Sequence, residues 1–527
     1  MSGMSKEAVP FHVDAAVRRG APQPVSDTLC IWDIRDFDDG GCFGKRVPAG
    51  WFREAYPFVG TVIMMTFTGG KGYNEWVTRD EAGRLRTDFT VPVRILRNVL
   101  RQGVRPMVVL GQTPIALSAR PEDGGDSCGW GNRYRPRDYG EYAAYIRAFA
   151  EALCDAFGRE ELARWLFRVY TEPDNRSWWM ESEEEFYRLY DVTAGALEEV
   201  VGRENLTIAP GNLENVESWP GLLAHCAAGE NAYTGGRGAP IDYFSISHYT
   251  AAPALGDLDH KVRRMRERTA AYPELSIGEW NVGEGQFLTD GDPLGDGTSH
   301  RLSMAQAACA AGASWQASLY RLCQESGLRY FANWAYCLDF RRVDEPMLRT
   351  PAYYAAAWMA EMRGRLTACS GETRLENGGA VGGAAVFDEE ADCLRVMLYN
   401  HHEAWRARTE TAALRVEHLP WPRVAVTRRQ VDDAHGCVYT RWRADSAHIA
   451  LVESESDIDV LGSPVETELY AVLDGEGAAF WRSRKEAYAE ERPLELPPVV
   501  METENGRLSL DVELPGYCVT VLEIRKA

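Results

Sequence analysis

The feature that most constrains the fold is an apolar strand that ends at a carboxylate. Residues 165–170 are almost all apolar or aromatic, which suits a strand covered on both faces, and Thr171 and Glu172 follow directly. Pro173 then ends the pattern, because proline cannot donate a hydrogen bond to a β ladder. We therefore expect Glu172 at the carboxyl end of a buried parallel strand.

A second stretch repeats this arrangement further along the chain. A short apolar strand is predicted over 275–277, and Glu279, Trp280 and Asn281 follow it. In a parallel barrel the carboxyl ends of all strands meet at one mouth, which is where such barrels keep their chemistry. The sequence thus predicts that Glu172 and Glu279 face each other.

Eight apolar runs alternate with stretches of helical periodicity, which indicates a (β/α)₈ TIM barrel. The predicted strands are 29–32, 61–66, 106–110, 166–170, 206–209, 243–246, 275–277 and 330–334. After about Gly364 apolar and polar residues alternate with period two, which is typical of antiparallel strands. We therefore predict an α/β protein with an N-terminal segment that joins a β-sandwich (1–28), a catalytic barrel (29–360) and a C-terminal antiparallel β-sandwich domain (361–527).

Composition and charge exclude several classes of partner. The formal net charge of −21 argues against nucleic acid or an anionic membrane, because a phosphate-rich surface requires a basic face. No stretch reaches the roughly eighteen apolar residues of a membrane span, and residues 1–20 lack the apolar core of a signal peptide. The twelve cysteines show no zinc-ligand spacing. We expect a cytoplasmic protein with reduced cysteines, no metal and no cofactor.

Two carboxylates at one barrel mouth indicate glycoside hydrolysis. Cleavage with retention needs one carboxylate to attack the anomeric carbon and a carboxylic acid, about 5 Å away, to protonate the leaving oxygen. The charge of the nucleophile helps to keep the acid protonated. We assign Glu172 as acid/base and Glu279 as nucleophile. Most of the 78 acidic residues must be ordinary surface groups, but these two follow apolar strands and have aromatic neighbours.

These motifs resemble a known family. Glu-Pro-Asp-Asn at 172–175, the pair Trp178-Trp179 and Glu-Trp-Asn at 279–281 are similar to the clan A glycosidases, and most closely to glycoside hydrolase family 39, the β-xylosidase and α-L-iduronidase family. The resemblance extends over much of the chain, through 105–114, 137–139, 157–162, 241–243, 424–432 and 501–524. It implies a retaining glycosidase barrel with a β-sandwich built partly from the N-terminal segment.

Three departures from the family pattern concern the sugar pocket. The residue before the acid/base is usually an Asn that contacts the sugar 2-hydroxyl, and here it is Thr171. Residues 66–70 replace an Arg and His-Gly motif on the second strand. On the sixth strand, alignment through Tyr249 puts Ser247 at the family's histidine position, so His248 would face the other way unless a bulge intervenes.

The candidate sugar contacts follow predicted strand ends. Aromatic rings there can stack on a pyranose, and amides can bind hydroxyls or orient the nucleophile. For each tryptophan, packing in the barrel shell is the alternative. The candidates are Thr171, Gln112, Trp178, His248, Tyr249, Trp280, Asn281 and Trp334.

The leading interpretation is a retaining glycosidase that releases a small terminal sugar, a β-xyloside or related pentoside, from an oligosaccharide or glycoside. One alternative is an α-L-arabinofuranosidase or a uronide-specific glycosidase, the latter motivated by Arg120, Arg133 and Arg135 around one loop. Another alternative is a non-catalytic carbohydrate-binding protein on a degenerate barrel. The sequence leaves endo-action and a homo-oligomer open.

Overall fold

The described residues form a closed parallel barrel and a large sheet that curls into a sandwich. The structure is a computed structural model that describes residues 8–31, 34–37, 51–65, 67–69, 75–123, 131–250, 258–287, 310–334, 348–403, 408–449 and 475–527.

The described elements are numbered in chain order. The strands are β1 (Val9–Arg18), β2 (Thr28–Ile31), β3 (Thr61–Met64), β4 (Val77–Arg79), β5 (Leu85–Thr87), β6 (Arg105–Val109), β7 (Leu166–Thr171), β8 (Ile208–Leu213), β9 (Phe244–Thr250), β10 (Trp280–Phe287), β11 (Phe331–Trp334), β12 (Arg365–Cys369), β13 (Thr373–Arg374), β14 (Gly379–Asp388), β15 (Cys393–His402), β16 (Glu410–Glu417), β17 (Arg423–Val431), β18 (Leu494–Glu502), β19 (Leu508–Leu514) and β20 (Cys518–Lys526). The helices are α1 (Trp51–Ala55), α2 (Thr90–Arg101), α3 (Tyr139–Phe157), α4 (Arg159–Leu162), α5 (Glu183–Val201), α6 (Gly221–Ala228), α7 (Leu258–Ala270), α8 (Ala310–Ser326), α9 (Pro351–Glu361), α10 (Val438–Asp445) and α11 (Gly475–Tyr488).

The barrel closes in the order β10, β11, β2, β3, β6, β7, β8, β9, with neighbouring strands parallel. Every residue of β2, β3, β7 and β8 is buried, as expected of parallel strands covered on both faces. The predicted fold class, a TIM barrel with an attached sandwich, is confirmed. Its mouth lies at the carboxyl ends of these strands.

Helix α3 shows how the sequence sets an element that supports the barrel. Asp138 caps it by accepting hydrogen bonds from the backbone N–H groups of Gly140 and Glu141. Gly158, with φ at 78°, ends it in a conformation that costs glycine little. The apolar face of this helix is buried, with Ile146 and Phe149 fully covered.

One predicted barrel strand is wrong. Residues 275–277 do not form the seventh strand, since Pro273–Leu275 is a short 3₁₀ turn and Ser276 adopts a left-handed φ of 54°. The seventh strand is β10, which begins at Trp280 and contains Gly283 and Gly285. Glycine is unfavourable in most strands, so the pattern favoured the apolar run before it.

The sandwich draws on both ends of the chain. Strand β1 lies between β12, its antiparallel partner, and β16, its parallel partner. Its apolar residues, including Phe11 and Val13, enter the core between the two halves of the curled sheet. The opposite faces of β14, β15 and β20 pack on α8, so these strands are buried on both sides. Ser314 of α8 hydrogen-bonds His401 across this contact at 2.8 Å.

Three further properties concern the described part of the chain. No helix in it is both long and apolar enough to cross a membrane. No group of three or more His, Cys, Asp or Glu side chains there could hold a metal ion. The eight cysteines in this part of the chain are free thiols.

Candidate active site

Glu172 lies at the barrel mouth, directly after β7. Its backbone N–H donates to the carbonyl of Asn212, the partner of Thr171 at the carboxyl end of β8, at 3.0 Å. Its φ of 39° is left-handed, which is uncommon for a residue with a side chain and is often associated with functional sites. The carboxyl group is buried, and Oε2 accepts a 3.3 Å hydrogen bond from Asn175.

Glu279 lies at the opposite end of the barrel, so the prediction that it faces Glu172 is wrong. It precedes the first residue of β10, and its carbonyl accepts from the N–H of Phe244, the first residue of β9. Its carboxylate accepts from the Asn281 amide at 3.2 Å. The predicted strand lay too early in the chain, and this error placed Glu279 at a strand end that does not exist.

The carboxylate that reaches Glu172 belongs to Glu284, five residues further along the chain. At a rise of about 3.3 Å per residue this moves the acid roughly 16 Å toward the mouth. In the register of β9 and β10, Val282 pairs with Ile246 and Glu284 with Ser247, so Gly283 is an extra residue. This β-bulge turns Glu284 into the barrel, where its side chain is 1% exposed.

Hydrogen bonds join the two acids in one polar network. The Thr171 hydroxyl, one residue before Glu172, donates to Glu284 at 3.0 Å. Ser247 hydrogen-bonds the Glu172 carboxylate and accepts from Asn212 Nδ2 at 2.6 Å. Asn212 in turn hydrogen-bonds Glu284. The acids are therefore neighbours across the lumen, connected through three short polar side chains.

The environments of the two acids differ. Burial raises the pKa of Glu172 to about 8, and the negative charge of Glu284 adds to that rise. Burial also raises the pKa of Glu284, but the Arg168 charge and hydrogen bonds from Thr171, Arg168 and Asn212 oppose the rise. At neutral pH the shared proton therefore belongs on Glu172, and Glu284 carries the negative charge.

Arg168 reaches across the lumen from β7 and is fully buried. Its Nη2 donates to the Glu284 carboxylate and to Thr171 Oγ1, the latter at 2.7 Å, and lies 3.3 Å from the sulfur of Met65. Gly283 leaves room for the guanidinium, because a Cβ there would lie 2.8 Å from Arg168 Nη1. Nε and Nη1 of Arg168 have no hydrogen-bond partner among the described residues.

Gln112, Thr171, Tyr249 and Trp334 occupy or adjoin the mouth. Gln112 follows β6, and both polar atoms of its buried amide lack a partner in the described part of the chain, so a sugar hydroxyl can supply one. The Thr171 hydroxyl accepts a hydrogen bond from Arg168 and donates one to the Glu284 carboxylate. Tyr249 is 37% exposed near the end of β9. Trp334 ends β11, and its side chain lies outside the described residues.

The other predicted sugar contacts lie away from an open mouth. Trp280 packs outside the barrel, with Nε1 donating to Thr269 of α7 at 3.1 Å, and Asn281 contacts Glu279 near the closed end. Trp178 is 3% exposed and presents no open ring face for stacking. His248 packs edge-on against Phe331. It therefore faces away from the lumen, as the one-residue offset from the family's histidine position predicted, and Ser247 faces inward and hydrogen-bonds Glu172.

Sequence reasoning missed Glu284, Arg168 and Asn212. The signal for Glu284 is its setting, since a glutamate between two glycines after an apolar residue is typical of a bulge or of close backbone contact. Arg168 also carried a signal, because an arginine within an apolar strand is rare, but its partner Glu284 is distant in sequence and could not be inferred.

Comparison with known proteins shows which families and enzymes this chain is similar to. Residues 73–268 match the family described as Glycosyl hydrolases family 39. This confirms the resemblance that the motifs around Glu172 predicted. The matched segment ends before both Glu279 and Glu284, so the choice between them depends on the structure.

Particular relatives are β-xylosidases. The chain is 29% identical over 170 residues to a β-xylosidase of Geobacillus stearothermophilus, over 31% of each chain. It is 26% identical over 221 residues to a β-xylosidase of Caldicellulosiruptor saccharolyticus, over 38% of this chain and 42% of that relative. The alignments thus cover less than half of either relative. A family 39 enzyme from Xanthomonas axonopodis pv. citri shares the fold, with a TM-score of 0.69, 15% identity and coverage of 99% and 98%.

Proposed function

We propose that this chain is a retaining glycoside hydrolase that acts by double displacement on a small terminal sugar. The observation that carries the proposal is the pair of buried, linked carboxylates with unequal environments, Glu172 and Glu284. A merely binding site gains little from two adjacent acids that repel each other. The pair offers one group to attack and one to donate a proton.

In the first step a Glu284 oxygen attacks the anomeric carbon and the bond to the leaving oxygen breaks. Glu172 gives its proton to that oxygen, so a covalent glycosyl-enzyme and a free alcohol result. In the second step the Glu172 carboxylate takes a proton from water. The water oxygen then displaces Glu284 from the anomeric carbon, and two inversions give net retention.

We propose a neutral pentoside, a β-xyloside in the first instance, as the substrate. The β-xylosidase relatives support this choice. The arginines considered for a uronide already have partners: Arg133 pairs with Asp123 at 2.9 Å, Arg120 lies over the Tyr134 ring, and Arg135 lies within 4.0 Å of two glutamates. An acidic sugar would need a free cation. Arabinofuranosides are the alternative neutral substrates and are included in the substrate panel of the test.

The test is hydrolysis of a panel of nitrophenyl glycosides by the wild type and three variants. Glu284→Ala should lose at least about 10⁴-fold in kcat. Glu172→Ala should lose about 10²- to 10⁴-fold on substrates with poor leaving groups and much less on activated ones. Glu279→Ala is the matched control and should keep most of the activity. A large loss of kcat in Glu279→Ala, together with an active Glu284→Ala, would show that Glu279 is the nucleophile.

Two further measurements complete this test. Proton NMR should show the retained anomer first, and a 2-deoxy-2-fluoro glycoside should label a peptide that contains Glu284. If sugars bind but no substrate in the panel gives turnover that depends on Glu284, the chain is a carbohydrate-binding protein on a barrel, and the proposal fails.

A further inference from the structure

The lumen beneath the mouth holds an unequal set of charges. Two acids, Glu172 and Glu284, and one cation, Arg168, are buried together in the described structure. One proton on one of the acids makes this group neutral overall. Which acid holds that proton decides which can attack and which can donate.

The contacts of Arg168 are confined to one side of the pair. Its Nη2 donates to Glu284 and to Thr171, and Thr171 donates to the same Glu284 oxygen, Oε1. No hydrogen bond or ion pair joins Arg168 to Glu172 in the described structure. The cation therefore favours the ionised form of Glu284 alone.

The other groups around each acid do not reverse this preference. Glu284 also faces the buried thiol of Cys30, which is neutral, and the amide of Asn212. Glu172 faces Ser247 and Asn175, and the nearby acids Glu214 and Asp174 disfavour its ionised form. The charged residues that act on Glu172 in the described structure, Glu284, Glu214 and Asp174, are thus negative, whereas Glu284 has the positive Arg168 in contact.

We propose that Arg168 is a positioning residue that assigns the two catalytic roles, by holding Glu284 ionised and aimed by way of Thr171 while Glu172 keeps the proton. This inference rests on the proposed function and adds to it the residue that sets the proton's place. The bulge at Gly283 is part of the same device, because a Cβ there would lie 2.8 Å from Arg168 Nη1 and 2.6 Å from Ser245 Oγ.

The experiment compares Arg168→Gln, Arg168→Lys and Gly283→Ala, with Arg164→Gln as the matched control because the Arg164 side chain is 76% exposed. Carboxyl resonances of ¹³C-labelled glutamate are followed against pH and assigned with Glu172→Gln and Glu284→Gln. In the wild type, Glu284 should lose its proton at a lower pH than Glu172. In Arg168→Gln its pKa should rise by about one unit or more, and Arg168→Lys should restore part of that difference.

Activity provides the second readout. The acidic limb of the kcat/KM profile, which reports ionisation of Glu284, should move to higher pH by a similar amount in Arg168→Gln and less in Arg168→Lys. Gly283→Ala keeps the charge but displaces the guanidinium, so it should shift the same limb. It also preserves the test if Arg168→Gln does not fold. Arg164→Gln should match the wild type in both readouts.

The outcomes separate the two proposals. Titrations of Glu284 that are unchanged in Arg168→Gln and in Gly283→Ala would overturn the role of Arg168, even if the enzyme is active and merely slower. Shifted titrations without turnover on any glycoside would support the role of Arg168 and reject glycoside hydrolysis.

Discussion

At the scale of single residues, the site depends on an acid that the fold keeps protonated. Glu172 is held in a left-handed backbone conformation at a strand end, with its carboxyl group away from water and close to a second negative charge. Both conditions disfavour its ionised form. A general acid needs this property, since an ordinary glutamate has lost its proton at neutral pH.

The first prediction concerns pH and stability. Folding raises the pKa of Glu172 to about 8, above the value in the unfolded chain, so the folded state binds the proton more tightly. Between about pH 4.5 and pH 8 the contribution of Glu172 to the free energy of unfolding therefore falls as pH rises. Glu172→Gln carries no such proton. As pH rises across this range, the melting temperature of Glu172→Gln, measured by calorimetry, should increase relative to that of the wild type.

The pH dependence of activity should report the ionisation of the same group, Glu172. The wild-type kcat/KM should decline on the alkaline side, near pH 8, as Glu172 loses its proton. Melting curves of wild type and Glu172→Gln that keep a constant separation from pH 5 to pH 8 would contradict the assignment, as would an alkaline limb that survives in Glu172→Gln.

At the scale of elements, β10 determines the site, through a bulge and two glycines. Gly283 accommodates Arg168, and Gly285 accommodates Phe331, whose ring would lie 2.4 Å from a Cβ at that position. The backbone carbonyl of His248 would lie 2.7 Å from the same Cβ. The strand can therefore approach its neighbours and direct Glu284 inward only because these two positions lack side chains.

The second prediction tests this packing. Gly285→Ala should cost about 1–3 kcal/mol of stability from overpacking. It should also lower kcat by up to about 10²-fold, because a shift of about 1 Å at Glu284 misaligns the attack. Gly278→Ala, just before the strand, is the control, since a Cβ there meets nothing within 4 Å. Chemical denaturation and steady-state kinetics check both, and equal effects in the two variants would count against the role of β10.

The same strand marks the limit of sequence reasoning. The apolar run before Glu172 and the amphipathic α3 were predictable because burial, capping and a proline stop all indicate the same element. Strand β10 violates those preferences with two glycines and a buried acid, for reasons that lie on other strands, in Arg168 and Phe331. Local patterns do not show partners on other strands, so the second carboxylate was misplaced, whereas Glu172 lies at the predicted strand end.

At the scale of the whole molecule, the barrel and the sandwich share surfaces. Strands β14, β15 and β20 pack against α8 of the barrel with one face and contribute side chains to the sandwich core with the other. The first strand, β1, completes that core between β12 and β16. The sandwich thus supports the barrel from outside, and the site should respond to it only through overall stability.

The third prediction separates these effects. Phe11→Ala removes a side chain that is 2% exposed and should cost about 3–5 kcal/mol. Val17→Ala, at a position 44% exposed in the same strand, should change stability by less than about 0.5 kcal/mol. At a temperature where both variants are folded, kcat should equal that of the wild type. An altered kcat in folded Phe11→Ala would show that the sandwich acts on the site directly.

The position of β1 also affects how the chain is made. Strand β1 is synthesised before the barrel, yet its parallel partner, beginning with the Val9 and Ala412 pair, is synthesised about 400 residues later. At about 5–20 residues per second the wait is roughly 20–80 seconds, with the whole barrel translated in between. During that interval an apolar, unpaired strand edge is exposed in the nascent polypeptide. Cells that make this protein must therefore shield strand β1, or limit the concentration of the nascent chain, until the partner strands β12 and β16 emerge.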